Sequence, residues 1–192
     1  MTWNLKIKDC HTACALGPDH DARNKLFLEL IKVHTCYTKQ CLQIGVDHIG
    51  GTKFGTNWIS LDPYDKRDCI DLREKLEETT LPSDSFDFIV CNAILEHVED
   101  PFGCAKQIHR ICKPGGKVWI EIPFVQPYHP YKTWEIEHGM FGKVGEMKGD
   151  DDHGGDYWRF TPQGLMLLMK PLVLIEMFLV NDGGITFYGT KT

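Results

Sequence analysis

Gly45 ends a short apolar run, Gln40 to Val46, and seventeen positions later Asp62 ends another, Trp58 to Leu61. A glycine at such a place lets backbone approach a ligand that a Cβ would hold off. An acid there can accept hydrogen bonds from both hydroxyls of a ribose. Glycine and then acid at successive strand ends is an arrangement for a nucleoside. Two further runs end in polar groups on the same edge. Phe86 to Cys91 leads into Asn92-Ala93-Ile94-Leu95-Glu96-His97-Val98, and Lys117 to Ile122 carries Glu121 and leads into Pro123-Phe124. Gly45 is followed by Val46-Asp47 rather than by the G-x-G-x-x-G spacing that seats a pyrophosphate, and no G-x-x-x-x-G-K-[ST] run occurs.

If an acceptor must lose a proton, a histidine in reach is the usual base. His97, His129 and His138 are the candidates, and His129 is preferred because Pro127-Tyr128-His129-Pro130 leaves a strand at the mouth of the expected site. Phe124, Tyr128, Tyr131, Trp134, Tyr157 and Trp158 either form a substrate wall or pack an irregular region onto the sheet. Arg159 could pair with an anionic substrate, although an ion pair with Asp156 is the plainer expectation. Asp150-Asp151-Asp152-His153 reads as a solvated acidic loop, since consecutive residues rarely converge on one ion, and no metal is expected.

These residues need a sheet to hold them. Helical spacing from Ala22 to about Val33, with Asp21 as cap, gives a first helix. The runs at Gln40 to Val46, Trp58 to Leu61, Phe86 to Cys91 and Lys117 to Ile122 are strands, and Cys69-Ile70 is a weaker one. Lys113-Pro114-Gly115-Gly116 reads as the turn before the last of them. Asp100-Pro101 and Thr161-Pro162 are cap-and-proline signals that open two further helices, over Ala105 to Cys112 and Gln163 to Lys170. Leu172 to Val180 and Ile185 to Tyr188, joined through Asn181-Asp182-Gly183-Gly184, form a hairpin. Strand and helix alternate and a hairpin follows, so the class is α/β, a sandwich with a mostly parallel sheet. Residues 125–157 have no sustained period, which in a domain of this size marks a functional or mobile stretch. No linker divides residues 1–192 into two domains.

Composition agrees. The chain has 192 residues, 42% hydrophobic and 25% charged, ordinary for one globular domain. With 21 basic against 27 acidic residues and no basic cluster, duplex nucleic acid is not an expected partner. No signal peptide or spanning segment is read, so a cytoplasmic, membrane-free protein is expected. Of the eight cysteines none forms a C-x-x-C pair, and Cys41 and Cys91 sit inside apolar runs, which reads as buried thiols in a reducing compartment. Monomer and homodimer stay open.

Leu42 to Gly45, Ser60-Leu61-Asp62, Leu81-Pro82-Ser83-Asp84-Ser85-Phe86-Asp87, Asn92 to Val98, Lys113 to Lys117 and Asp156-Tyr157-Trp158-Arg159-Phe160-Thr161-Pro162 occur in this order over residues 22–170. In these pieces the chain resembles the class I S-adenosylmethionine-dependent methyltransferases, of the type called methyltransferase type 11. The resemblance implies a three-layer, Rossmann-like sandwich with a mostly parallel seven-stranded sheet and a C-terminal antiparallel hairpin. It implies S-adenosylmethionine as cofactor and transfer of its methyl group to a small-molecule or carrier-linked acceptor. Carried over by position, Gly45 approaches the methionine portion, Asp62 with Pro63 holds the ribose, Asp71 and Leu72 flank the adenine, and Asn92 and Ala93 line the sulfonium side, with His97 beside them. Phe124, Tyr128, His138, Trp158 and Arg159 fall on the substrate side. Gln43 and Asp47 stand where the family carries an acid and a glycine. That departure motivates a second reading, a cofactor-binding protein without turnover. A third, a nucleotide-dependent enzyme on a related sheet, is disfavoured by the missing G-x-G-x-x-G.

Overall fold

The computed structural model describes residues 18–36, 38–45, 53–125, 156–179 and 183–192, with backbone only for 18–21. The elements are α1 (Pro18–His34), β1 (Cys41–Ile44), β2 (Trp58–Leu61), β3 (Phe86–Asn92), α2 (Pro101–Ile111), β4 (Cys112–Pro123), α3 (Pro162–Leu168), β5 (Val173–Leu179) and β6 (Gly184–Thr190), plus one 3-10 turn at Leu76–Glu78. The sheet order is β2-β1-β3-β4-β6-β5. Strands β2, β1, β3 and β4 are parallel, and β6 runs antiparallel to both β4 and β5.

The described residues hold six strands rather than the expected seven. Around Cys69-Ile70 the ladder shrinks to one parallel bridge, Leu61 with Leu72. A side chain replaces the rest of it: the Asp71 carboxylate accepts from the Ser60 amide at 2.8 Å and from the Ser60 hydroxyl at 3.0 Å. Helix α1 starts at Pro18, before the expected Ala22, so Asp21 lies inside it rather than capping it. Proline at the first position and acids soon after are themselves a start signal. The Lys113–Gly116 turn is absorbed into β4 as a bulge, because the register steps from Phe86 opposite Cys112 to Phe88 opposite Lys117. Gly115 there has φ +79°, open to glycine at no steric cost.

Both cap signals hold. Asp100 accepts from the Gly103 amide at 2.8 Å and Thr161 Oγ1 from the Gly164 amide at 3.1 Å. The capped helix α2 turns Cys104, Ala105, Ile108 and Ile111 inward. With Leu165 and Leu168 of α3 they cover Leu42, Ile44, Ile89, Cys91, Val118, Ile120 and Phe187 on one face of the sheet. On the other face Leu26, Phe27, Leu30 and Ile31 of α1 pack against Cys41, Trp58, Phe88, Val90, Trp119 and Tyr188. The result is three layers. Cys41, Cys91, Cys104 and Cys112 are buried free thiols, as expected, while Cys36 and Cys69 are half-buried. No helix among the described residues is long and apolar enough to cross a membrane.

Candidate active site

The carboxyl ends of β1, β2 and β3 surround an open cleft of about 760 Å³, open solvent included. Each wall follows from a chain event. After β1, Gly45 turns with φ +71°, and a Cβ added there would lie 2.3 Å from Ile94 Cδ1, so only glycine lets these two segments meet. After β2, Asp62 Oδ1 accepts from the amides of Tyr64 and Asp65, each at 2.9 Å. That Asx turn fixes the carboxylate and leaves Oδ2 for a ligand. After β3, Ala93 sits at φ +51° while its amide donates to Glu121 O at 2.8 Å, and a tight turn closes with His97 N to Ile94 O at 2.9 Å. This strained turn presents Ile94, His97, Val98 and Glu99 to the cleft.

The last wall comes from the D-Y-W-R-F-T-P run. The amides of Tyr157 and Trp158 donate to Glu96 O at 2.8 and 3.3 Å, and Trp158 Nε1 donates to Val98 O at 2.8 Å. Tyr157 thereby lines the cleft. Arg159 pairs with Asp156, the plainer of its two expected roles. Those bonds explain why two sequence runs sixty residues apart read as motifs: they are the two halves of one joint.

Of the residues expected to bind cofactor, Gly45, Asp62, Pro63 and His97 line the cleft. Gln43 is buried, as is the Asn92 carbonyl oxygen, and neither amide oxygen has a hydrogen-bond partner among the described residues. Asp71 is committed to Ser60 and to Lys53 Nζ at 2.8 Å. Burial alone would raise its carboxyl, but these bonds outweigh that and hold it below the usual range. Leu72 packs on the core from its bridge, and Ala93 is exposed. On the substrate side, Phe124 packs on the core and Trp158 stacks on Phe160 with ring centroids 6.0 Å apart. Asp47, Tyr128, His129, His138, Tyr131, Trp134 and the Asp150–His153 run lie outside the described residues. Among the described residues no group of three or more His, Cys, Asp or Glu is placed to hold a metal.

Sequence reasoning missed Lys75, Leu76 and Glu77, which close the cleft from the 3-10 turn, and it missed the state of Glu96. Glu96 is 0% exposed, and neither carboxylate oxygen has a hydrogen-bond partner among the described residues. Desolvation pushes its carboxyl up to about 8, with Asp156 and Glu121 adding to the rise and Arg159 opposing it.

Residues 59–120 match the family model described as a methyltransferase domain. No curated protein matches the chain in sequence. Solved structures do match in fold. A Mesorhizobium loti S-adenosylmethionine-dependent methyltransferase aligns with a TM-score of 0.56 at 13% identity, over 85% of this chain and 96% of that one. An Aquifex aeolicus methyltransferase of the same dependence aligns at 0.53 and 11% identity, over 88% and 89%. A Haemonchus contortus phosphoethanolamine N-methyltransferase 2, solved with S-adenosylhomocysteine, aligns at 0.56 and 16% identity, over 88% of this chain and 53% of that one. Residues 59–120 thus carry a methyltransferase-domain match, and the chain as a whole has the fold of S-adenosylmethionine-dependent methyltransferases.

Proposed function

We propose that the cleft binds S-adenosylmethionine and that the chain moves the methyl group to a small-molecule or carrier-linked acceptor. One observation carries the cofactor assignment: Gly45 is pressed against Ile94 beside Asp62, whose Oδ2 is left open at the next strand end. The remaining lining suits the same group. Leu76, Ile94 and Val98 offer apolar surface for an adenine, and Tyr157 an aromatic one. Asp62, Glu77 and Glu99 face a single lysine, Lys75, in that lining. Such a wall repels the two phosphates of a dinucleotide and accepts a sulfonium, which argues against the nucleotide-dependent reading.

When bound, the cofactor supplies a methyl group on a good leaving group, so that an in-line acceptor held close meets a barrier lowered largely by positioning. The Asp62 carboxylate orients the ribose, and the apolar lining excludes water from the adenine side. Phe124, Tyr128, His138, Trp158 and Arg159 are the proposed contacts for the acceptor.

Thermal unfolding with S-adenosylmethionine, S-adenosylhomocysteine and NAD tests the assignment. At about 100 times Kd a ligand adds about 2.7 kcal/mol and raises the midpoint by about 5 to 11 °C for a chain of this size. The two adenosyl compounds should shift it and NAD should not. Binding without methyl release to any acceptor would favour the reading without turnover.

A further inference from the structure

Glu96 is a carboxylate in search of a partner. Its own turn puts it behind the cleft, and the segments packed over it are already engaged. Arg159 pairs with Asp156, and Glu121 on β4 pairs with Arg23 of α1. His97 Nε2 lies 3.8 Å from Glu96 Oε1. His97 itself lines the cleft. A cleft-lining imidazole backed by a fully buried acid, neither of whose oxygens has a hydrogen-bond partner among the described residues, is the geometry of a base and its orienting group. A separation of 3.8 Å exceeds a hydrogen bond, and such contacts commonly tighten only when ligand is bound. A buried carboxylate serving structure alone would be expected to have its oxygens satisfied.

We infer that His97 and Glu96 form a proton-accepting pair, His97 as the base at the cleft and Glu96 as its positioning residue, and that the acceptor is a hydroxyl or ammonium group that must surrender a proton. This rests on the cofactor assignment above and moves the proton from His129 to His97. Once the Glu96 carboxyl has lost its own proton, which burial delays to about 8, the carboxylate holds Nε2–H and the His97 Nδ1 lone pair takes the acceptor's proton. The acceptor's freed lone pair forms the bond to the methyl carbon as the carbon–sulfur bond breaks, its electrons remaining on sulfur. The proton on Nδ1 then passes to solvent. Burial serves this chemistry, since a desolvated carboxylate gains most from a charged imidazolium beside it. The charged groups that face the pair are Asp156 and Arg159 before α3, Glu121 on β4, and Asp62, Lys75, Glu77 and Glu99 around the cleft.

The test reads the pair first without needing the acceptor. In protein saturated with S-adenosylhomocysteine, the His97 ring is titrated by NMR in the wild type, in Glu96→Gln, which keeps the shape of the buried acid, and in Glu96→Asp. Glu96→Gln should lower the His97 midpoint by about one pH unit or more, and Glu96→Asp should restore part of it. An identical midpoint in wild type and Glu96→Gln overturns the pair. Calorimetry with S-adenosylhomocysteine on the same samples separates the two layers. Loss of binding in the wild type brings down the cofactor assignment, while binding with an unmoved midpoint brings down the pair alone. Transfer from methyl-deuterated S-adenosylmethionine into a small-molecule extract supplies the second arm. Glu96→Gln should slow it about 10²-fold with unchanged KM. Unslowed transfer in Glu96→Gln, or a labelled carboxylate ester as the only product, overturns the inference.

Discussion

The body of the sheet and its carboxyl edge are built on opposite rules. In the body, Phe88, Ile89, Val118, Trp119 and Ile120 are all 0% exposed and packed from both sides. At the edge, Gly45 and Ala93 hold positive φ. Gln43, Asn92, Glu96 and Thr186 bury oxygens that no described residue satisfies. Asn92 and Thr186 of that set flank Glu121 in a cross-strand row on β3, β4 and β6, two residues beyond Val90, Trp119 and Tyr188 of the α1-side core. Gln43 and the Trp119 Nε1 are orphans within the body, but among the described residues backbone strain joins orphaned oxygens only at the edge, the combination expected where stability is given up for a ligand. The contrast can be broken at either end.

The largest effect should come from Glu96. Its carboxyl lies at about 8 against an ordinary 4.5. The unfolded chain therefore loses this proton first, and stability must fall as pH rises from about 4.5 to 8. The full span corresponds to about 5 kcal/mol in order of magnitude. Urea midpoints at both ends of that range should drop with pH in the wild type and far less in Glu96→Gln. Next comes the body: Ile108→Ala on α2 should cost about 2 to 5 kcal/mol by urea unfolding and leave cofactor affinity per folded molecule unchanged. Asp62→Ala inverts that pattern. It should keep the fold and erase the roughly 2.7 kcal/mol that saturating S-adenosylmethionine adds, read as a vanished thermal shift. Removing the α2 cap with Asp100→Ala should cost about 1 kcal/mol. Smallest, Thr186→Val should stabilise by up to about 1 kcal/mol, since it replaces an unsatisfied hydroxyl by a methyl of similar shape. A loss there would mean that the hydroxyl is satisfied in solution.

What the sequence reveals follows the range of the forces involved. The caps at Asp100 and Thr161 and the hairpin are local and legible, and so are the strand ends at Gly45 and Asp62, because each strand announces its own limit. Cys69-Ile70 misleads because its place on the sheet edge is taken by the side chain of Asp71, eleven residues from its partner Ser60. Tyr157 is invisible as a cleft wall until its amide is seen to bond Glu96, and the unsatisfied burial of Glu96 depends on segments from three parts of the chain. Gln43 stands where the family carries an acid, and only the structure shows that it is buried outside the cleft's lining.

The joint between Tyr157-Trp158 and the turn at 96–98 has a bearing on how the molecule is made. Gly45, Asp62 and His97 are synthesised early, yet the wall that completes their cleft is encoded some sixty residues after that turn. During synthesis the emerging chain must hold an unfinished pocket with its glycine turn and acidic rim exposed, until residues 156–160 have left the ribosome and docked. The cleft is therefore walled on this side only once the chain has been made through the Tyr157-Trp158 pair.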